Sequence, residues 1–524
     1  MNNCKSFGIL VIFSLFLFNA TISQSSPKTQ SAKKIKPELN ILAFGANGDG
    51  KTLNTTAIQS AIDNLASKGG GRLIIPEGRF LSGSIILKSG IELHLQQGAV
   101  LLGSTNPYHY KGINRWKALI LADGQTRISI SGKGTIDGQG RRLALNADSL
   151  YYIGEMDAKY YNLRRKRPNE YFRPQNIEMV NCKNIHISGV TIQNAACWVQ
   201  TYDLCENLVL DSIRVISDAY WNNDGIDISD CRNVRVTNSF VNSADDGICL
   251  KSHATGHWND SIYIANCTVR SSASAVKFGT ASTGGFKNVK IENINVYDTF
   301  RSAIALESVD GGILENIDIN NIVATNTGNA IFIRLGHRNT DERYSQLRNV
   351  TIRNVKVEIP FDRPDSKYEM RGPDLPFFHN PFPCSITGIP GHPIENVTLE
   401  NIEISFPGRG NDGMAIIPLS RLKDVPEVEA EYPEFSMFGE LPAWGFYVRH
   451  VEGLTMKNIS IQARDKDYRP AFVFDDVKAL KMEKIKMEEP DSGLQMILNK
   501  TREANLKVSK QLVKVLDNCS GVQF

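Results

Sequence analysis

Two short turns between residues 221 and 251 each place an aspartate directly before a glycine and an isoleucine. The turns are Asp224-Gly225-Ile226 and Asp246-Gly247-Ile248, and Asp245 adds a third acid beside the second turn. Carboxylates that are packed together raise at least one pKa in the group, so one residue type can supply both a proton donor and a base. The two turns therefore predict general acid–base chemistry, provided that the fold brings them side by side.

A sequence repeat indicates how the fold could do so. Asn-apolar pairs open β-rich runs at Asn184, Asn207, Asn233, Asn288, Asn316, Asn349 and Asn396, and Ser261-Ile262 fills the gap between 233 and 288. Each run alternates apolar and polar residues and is bounded by Gly, Asn, Asp or Ser, with no helical periodicity. Repeats of this kind predict an all-β chain wound into a single-stranded, right-handed parallel β-helix, in which each coil needs its neighbours to bury a core.

The repeat length fixes where the acids fall. Residues 224 and 246 are 22 positions apart, about one coil, so Asp224 and Asp246 are expected at the same place on adjacent coils. Neighbouring coils lie about 4.8 Å apart. Asp245 is one residue out of register and completes a three-acid patch. The alternative is that these acids are ordinary turn residues or ligands of a calcium ion.

Other segments are expected to close the solenoid. An N-terminal capping helix is predicted in 54–71, started by Asn54 or Thr55 and ended by Gly69 to Gly71. Its apolar stripe is Ala57, Ile58, Ala61, Ile62 and Leu65. Loops at 334–347, 360–393 and 406–442 break the period and are expected to wall a groove. After about residue 480 the pattern weakens to a charged tail.

The N-terminal segment and the net charge indicate the compartment and the partners. Lys5 precedes an apolar run from Phe7 to Phe18, which is typical of a signal peptide, with a membrane anchor as the alternative. We predict a signal peptide at 1–23, a short linker at 24–38 and a β-helix domain at 39–524. With 59 Lys+Arg against 56 Asp+Glu, the net charge of +3 disfavours a nucleic-acid or membrane partner. The expectation is a secreted or periplasmic monomer.

The cysteines do not indicate a metal site. Eight remain after the predicted signal peptide, and five of them lie beside or within apolar strand-like runs. A small buried thiol packs there as a hydrophobic group. No CxxC or Cys/His spacing suggests zinc, so we expect free thiols, with one disulfide as the alternative, and neither metal nor other cofactor.

Four blocks of the sequence resemble glycoside hydrolase family 28, the polygalacturonase-like pectin hydrolases. They are "FGANGDGKTLNTTAIQSAID" with "GGGRLIIPEGRFLSGSIILKS", then "GKGTIDGQG", "NNDGIDI" and "SADDGICLKS", and the likeness covers roughly residues 40–320. The resemblance implies an inverting hydrolase in which Asp245 protonates the leaving oxygen, while Asp224 and Asp246 activate water. It also implies a pectic polysaccharide or oligosaccharide as the substrate.

The pattern departs from the family where a uronate would be gripped. Members of the family usually carry Gly-His-Gly on the coil after the Asp pair and Arg-Ile-Lys on the next coil. Here Ser274 stands in the place of the histidine, and Ala305 and Glu307 stand in the places of the two cations. Replacement substrate-binding residues are predicted on the acid coils and on the coils that follow them. The candidates are Lys251, Lys277, Arg334, His337, Arg338 and Trp221, while Trp198 is either a sugar-stacking residue or part of the core.

Three functions follow as hypotheses. The first is an exo-acting hydrolase of α-linked galacturonic acid in homogalacturonan or rhamnogalacturonan. The second is a β-helix hydrolase of a neutral sugar, of galactosidase or rhamnosidase type, because the cations of the family are missing. The third is a non-catalytic carbohydrate-binding solenoid. A pectate lyase is disfavoured because the calcium ligands and base of its elimination chemistry are not recognisable.

Overall fold

A computed structural model describes residues 37–377, 380–410, 418–489 and 493–524. Pro37 to Phe524 form one compact unit. The predicted signal peptide and nearly all of the predicted linker lie outside the described residues. No helix in the described ranges is long and apolar enough to cross a membrane.

Strands of two to 24 residues make up most of the regular structure in the described residues. Those before residue 195 are Glu38–Asn40, Asp49–Leu53, Gly71–Ile75, Gly78–Ser82, Ile85–Ile86, Ile91–Leu95, Ala99–Gly103, Lys111–Gly112, Lys117–Asp123, Thr126–Gly132, Thr135–Asp137, Tyr161–Asn162, Arg167–Pro168, Gln175–Val180, Lys183–Ser188 and Thr191–Gln193. The central strands are Gln200–Asp203, Glu206–Asp211, Arg214–Ser217, Ile226–Ser229, Arg232–Thr237, Phe240–Ser243, Ile248–Ser252, Asn259–Ser271, Val276–Ser282, Gly285–Ser308 and Ile313–Leu335. The later strands are Gln346–Glu358, Cys384–Thr387, Ile394–Phe406, Phe446–Ala463, Phe472–Glu488, Met496–Asn499, Asn505–Lys507 and Val513–Val515.

The strands stack as successive coils of a parallel β-helix. In one coil, Gln200–Asp203, Glu206–Asp211 and Arg214–Ser217 pair in parallel with the three strands that begin at Ile226, Arg232 and Phe240. This arrangement is the predicted three strands per coil. Inward side chains of all coils form one continuous apolar core, because no single coil could bury its own.

The repeat found in the sequence matches the register in which the strands of successive coils pair. Ile262 pairs with both Val234 and Val289, so the segment at 261 is the coil between 233 and 288. The asparagine side chains form a ladder: Asn207 donates to Asn184 at 3.0 Å, and Asn233 donates to Asn207 at 2.7 Å. These asparagines have φ between 53° and 58°, a conformation that Asn tolerates better than most residues.

Two α-helices accompany the strands in the part of the chain that the structure describes. Helix α1 spans Thr55–Ser67, as predicted, and packs Ile58, Ala61, Ile62 and Leu65 into the core. Asn54 lies at its N-cap position, but its side chain donates to Asn47 instead of capping the helix. Helix α2, Gly140–Tyr152, was not expected from the sequence. Its apolar side is narrow and includes Leu143, Ala144 and Ala147, so it does not stand out from the surrounding polar residues.

Two expectations about the end of the chain have different outcomes. The described residues of 336–345, 359–383 and 407–442 contain no strand, as the broken period predicted, but Cys384–Thr387 is a strand inside the loop predicted at 360–393. The charged tail expected after residue 480 is wrong, because parallel pairing continues to Val515. The last strands are only three or four residues long, so their apolar pattern is too short to read. All eight described cysteines are free thiols.

Candidate active site

The two Asp-Gly-Ile turns lie on adjacent coils. Ile226 pairs with Ile248, and the Gly225 N–H donates to the Asp246 carbonyl at 2.8 Å. A Cβ at Gly225 would come within 2.6 Å of the Gly247 carbonyl oxygen, and a Cβ at Gly247 would meet the next coil equally closely. Glycine is therefore required at both positions for the coils to approach, and the preceding aspartates are held in register.

Three carboxylates meet at these turns. One oxygen each of Asp224, Asp245 and Asp246 lies within 4.8 Å of the other two, an arrangement that could also hold a cation. Asp224 and Asp246 are 3% and 2% exposed, whereas Asp245 is partly exposed. The Asp246 N–H donates to the Asp245 carboxylate at 3.0 Å. The predicted convergence of the acids is confirmed, and Asp245 is the member that faces solvent.

Two buried lysines neutralise part of this charge. Lys251 Nζ lies 3.1 Å from Asp224 Oδ2 and 3.2 Å from Asp227 Oδ1. Lys277 Nζ lies 3.3 Å from Asp246 Oδ2. Because each lysine stands beside an acid of the cluster, the site contains counter-charges supplied by the fold itself.

The acids differ in their affinity for protons. Burial, and then the charge of Asp246, raises the pKa of Asp245. Burial also acts to raise the pKa of Asp246, but Lys277 and then Lys251 outweigh it, and this pKa lies below its ordinary value. Burial raises the pKa of Asp224 well above its ordinary value although Lys251 opposes the change. The cluster thus combines two acids whose pKa is raised with one whose pKa is lowered.

Comparison with known proteins agrees with this geometry. The model for Glycosyl hydrolases family 28 matches residues 67–360. The chain belongs to this family. It is 28% identical to a probable polygalacturonase from Vitis vinifera, over 60% of this chain and 61% of that one. It is 27% identical to an exo-poly-alpha-D-galacturonosidase from Dickeya chrysanthemi, over 64% and 65%. The chain thus spans less than two thirds of the length of these two relatives.

A solved structure adds support for the fold. The exopolygalacturonase from Thermotoga maritima is 25% identical to this family 28 chain, with a TM-score of 0.56. The likeness covers 70% of this chain and 87% of that one.

The coils after the acid turns carry the departures from the family 28 pattern. Ser274 is in register with Asp246, and its N–H donates to the Asp246 carboxylate at 3.2 Å. Glu307 lies 3.7 Å from Lys277 Nζ, and burial raises its pKa to about 7. A position that holds a cation in the family pattern is therefore occupied here by an acid that pairs with Lys277. Neither Lys277 nor Lys251 has more than 6% of its surface exposed.

Aromatic side chains lie beside the cluster. The half-buried Trp198 ring lies 4.5 Å from Lys251 Nζ and packs edge-on against Trp116. Trp221 is 44% exposed, and the Arg167 guanidinium lies over its ring at 5.4 Å. Trp198 is therefore at the site and not in the inner core, while Trp221 remains a candidate for sugar contact.

The three predicted cations on later coils, Arg334, His337 and Arg338, contact other residues of the chain. Arg334 is 1% exposed and donates to the backbone carbonyls of Gly388, Glu427 and Val428. Arg338 forms two hydrogen bonds with Asp310, at 2.9 and 2.8 Å. Substrate contact by either arginine has no support in these contacts.

His337 also contacts other residues of the chain. Its ring stacks on Tyr344 with centroids 4.2 Å apart, and its backbone N–H donates to the Glu429 carbonyl at 2.8 Å. The coil repeat gave no sign that a later loop accepts hydrogen bonds from Arg334 and His337 through the carbonyls of residues 427–429.

That loop, residues 425–434, is called the strap here. Arg449 donates to the Val425 carbonyl at 2.8 Å and lies 2.5 Å from the Glu427 carboxylate. Farther along the strap, the Tyr432 hydroxyl accepts a hydrogen bond from Lys277 at 3.1 Å, and Glu434 pairs with Arg301 at 3.2 Å. The strap therefore extends from the later coils to the acid cluster.

Two residues of the site were missed. Positions 246, 274 and 302 are in register on successive coils. The residues one position earlier, Asp245, Ala273 and Arg301, are therefore in register as well. The repeat spacing could have found it. Tyr432 is 155 residues from Lys277 in a loop without periodicity, so no signal in the sequence pointed to it.

Proposed function

We propose that this family 28 chain is a secreted or periplasmic glycoside hydrolase that cleaves α-linked galacturonic acid in pectin or its oligosaccharides, acting from a chain end. The observation that carries the proposal is the three-carboxylate cluster, in which adjacent acids have pKa values shifted in opposite directions. Glycoside hydrolysis requires such a pair, one protonated carboxyl group and one ionised carboxylate. The polygalacturonase relatives support the choice of substrate.

The roles follow from exposure and proton affinity. Asp245 is partly exposed and its pKa is raised by burial and by the charge of Asp246, so it is the acid that donates a proton to the leaving glycosidic oxygen. Asp246 is ionised beside Lys277, so it accepts the proton of the attacking water. Asp224 was paired with Asp246 as a base, but its raised pKa supports a different contribution. Asp224 orients the water by hydrogen bonding while Asp246 takes the proton.

The strap supports exo action. It contacts the coils of Arg334 and Arg449 and reaches Lys277 through Tyr432. A wall at this position closes one side of the acid cluster, which favours a chain end over the middle of a polymer. The relatives named as exo-acting enzymes agree with this preference.

Inversion of configuration is also part of the proposal, by resemblance to the family. The carboxylate oxygens lie within 4.8 Å, whereas inverting enzymes usually separate their two carboxyl groups by about 6.5–9.5 Å. The anomer released first, observed by proton NMR during hydrolysis of a galacturonate trisaccharide, tests this point. A retained α-anomer would contradict inversion.

The exchange Asp245→Asn tests the catalytic assignment. Loss of the proton donor is expected to lower kcat on galacturonate oligosaccharides by about 10²–10⁴-fold. The thermal midpoint should stay within a few degrees of the parent, because the side chain is partly exposed. Asp517→Asn, at an exposed aspartate, is the matched control. A fully active Asp245→Asn protein would refute the assignment.

A second candidate, hydrolysis of a neutral sugar, is favoured by one observation. The two lysines at the cluster are almost fully buried and paired with Asp224, Asp246 and Glu307, so neither is free to bind a uronate carboxylate. Aryl α-galacturonide, α-galactoside and α-rhamnoside, compared at equal concentration, separate the two candidates. Turnover of a neutral glycoside alone would replace the first proposal.

The third hypothesis, a calcium-binding solenoid without activity, is less favoured by the charges. A divalent cation among the three carboxylates would lie next to the ammonium groups of Lys251 and Lys277, which already pair with two of them. Repulsion between these cations would weaken binding. A thermal midpoint raised by calcium, together with no sugar release from any pectic substrate, would favour this hypothesis.

The right-handed winding of the β-helix and the capping role of α1 remain part of the proposal. The parallel pairing and the burial of α1 against the first coils support them.

A further inference from the structure

A hairpin beside the coils carries three successive exposed cations. Strands Tyr161–Asn162 and Arg167–Pro168 pair antiparallel, and residues 163–166 form the loop between them. In this loop Arg164, Arg165 and Lys166 are exposed, and none of their side chains forms a hydrogen bond or an ion pair with any residue in the described ranges. The tip holds three positive charges, as many as the net charge of the whole chain.

The hairpin is fixed to the coil that carries the acid turns. Arg167 is 9% exposed and donates to Asn222 Oδ1 at 3.1 Å, and Arg173 donates to the same oxygen at 3.0 Å. Arg173 also donates to the Trp221 carbonyl at 2.7 Å. Asn222 lies two residues before Asp224. The cationic tip is thus held by two buried guanidinium groups to the same turn as the acid cluster.

Aromatic rings lie at the base of the hairpin. Tyr160 stacks on Tyr171 with centroids 5.3 Å apart, and Lys117 Nζ lies 4.8 Å from the Tyr171 ring centroid. Tyr171 is 42% exposed and Tyr108 is 52% exposed. Exposed tyrosines combine an apolar face with a polar hydroxyl, a combination suited to a sugar ring.

We infer that the tip at 163–166, with Tyr171 and Tyr108, binds an acidic polysaccharide outside the acid cluster. A polymer with one carboxylate on each successive sugar can pair with all three cations at once, and the tyrosines can contact the faces of its rings. Nucleic acid and anionic lipid also carry repeated negative charge. The polyuronate is preferred because Asn222 joins the tip to the acid turn, and this preference rests on the proposed function.

Binding by an inactive full-length chain tests the inference. In an Asp245→Asn background, the triple exchange Arg164→Gln, Arg165→Gln and Lys166→Gln is expected to weaken binding to unesterified polygalacturonate roughly 5- to 10-fold at low ionic strength. The difference should shrink in high salt, since exposed charges are screened. Binding to fully methyl-esterified polymer should not change. Affinity electrophoresis in gels containing each polymer measures the three effects.

A matched control removes equal charge elsewhere. Lys481, Lys484 and Lys514 are exposed on the last coils, and their exchange for Gln should leave polygalacturonate binding unchanged. Equal loss in both triple variants, or no loss in the hairpin variant, would overturn the inference. Hairpin-dependent binding to phosphatidylserine vesicles or single-stranded DNA that exceeds binding to polygalacturonate would also overturn it.

The active protein separates this inference from the proposed function. The hairpin variant should raise KM for the polymer roughly 5- to 10-fold and leave turnover of a galacturonate trisaccharide unchanged. If the parent releases no uronic acid from any substrate, the proposed function fails. The electrophoresis in the inactive background then still decides whether the tip binds the polymer.

Discussion

Two buried charge networks occupy the same face of the β-helix and differ in their balance. In the acid cluster, the carboxylates of Asp224, Asp227, Asp245 and Asp246 face two lysines. In the network under the strap, Arg334 donates to backbone carbonyls, while Arg449 donates to one carbonyl and pairs with the carboxylates of Glu427 and Asp475. Burial of charge is common to both. An excess of acid with shifted pKa values, open to solvent through one member, distinguishes the catalytic candidate.

The strongest test of this difference is Lys277→Met. The exchange leaves Asp246 and Glu307 buried without their shared cation, and breaking such a pair costs about 3–5 kcal/mol in the free energy of unfolding. Activity should also fall sharply, because the pKa of Asp246 rises once Lys277 is gone. Urea unfolding and kcat on an oligosaccharide measure the two effects.

Lys287→Met is the matched control, since Lys287 pairs with Glu315 at a partly exposed position, 3.6 Å apart. Its cost should stay below about 1 kcal/mol. A Lys277→Met protein as stable and active as this control would show that the acid cluster needs no internal cation.

Arg449→Met tests the other network. Glu427 and Asp475 lose a cation, and Asp475 is 1% exposed, so a loss of about 3 kcal/mol in the free energy of unfolding is expected. The strap retains its bonds to Arg334, so kcat on an aryl glycoside should change much less than in Lys277→Met. An activity loss equal to that of Lys277→Met would remove the distinction between the two networks.

The sequence predicted the parts of this comparison that depend on the repeat. Periodic positions have fixed neighbours, so the coil spacing alone placed Asp224 beside Asp246 and put Lys251 and Lys277 on the same face. The strap has no period, and its position is decided by contacts such as Arg449 with Glu427. For that reason the cations at 334, 337 and 338 were assigned to substrate, although the strap and neighbouring groups take up their contacts.

The raised pKa of Glu307, beside the acid cluster, gives a prediction about the pH dependence of stability. The pKa of Glu307 is about 7 in the fold against an ordinary value of 4.5, chiefly through burial. The folded chain binds this proton more tightly than the unfolded chain, so its contribution to the free energy of unfolding declines as the pH rises from 4.5 to about 7. In Glu307→Gln this decline is removed.

Thermal midpoints at pH 5 and pH 8 measure the difference. The midpoint should fall less between these two values in Glu307→Gln than in the parent. Glu395→Gln, at an exposed glutamate, should follow the parent. Identical pH dependence in all three proteins would mean that Glu307 is ionised in the fold.

The smallest expected effect comes from a turn that carries no acid chemistry. Asn233 has φ of 53° and donates to Asn207 at 2.7 Å, so its exchange for Ala removes a hydrogen bond and strains the backbone, at about 1–2 kcal/mol in the free energy of unfolding. Asn233→Gly restores the backbone freedom and loses only the amide contact. If the Gly variant is the more stable, the turn conformation dominates; if the two are equal, the ladder does. In either case kcat should be unchanged, because Asn233 is exposed and makes no contact with the acid turns. A loss of activity would show that a change in the stacking of the coils at Asn233 displaces Asp224 and Asp246.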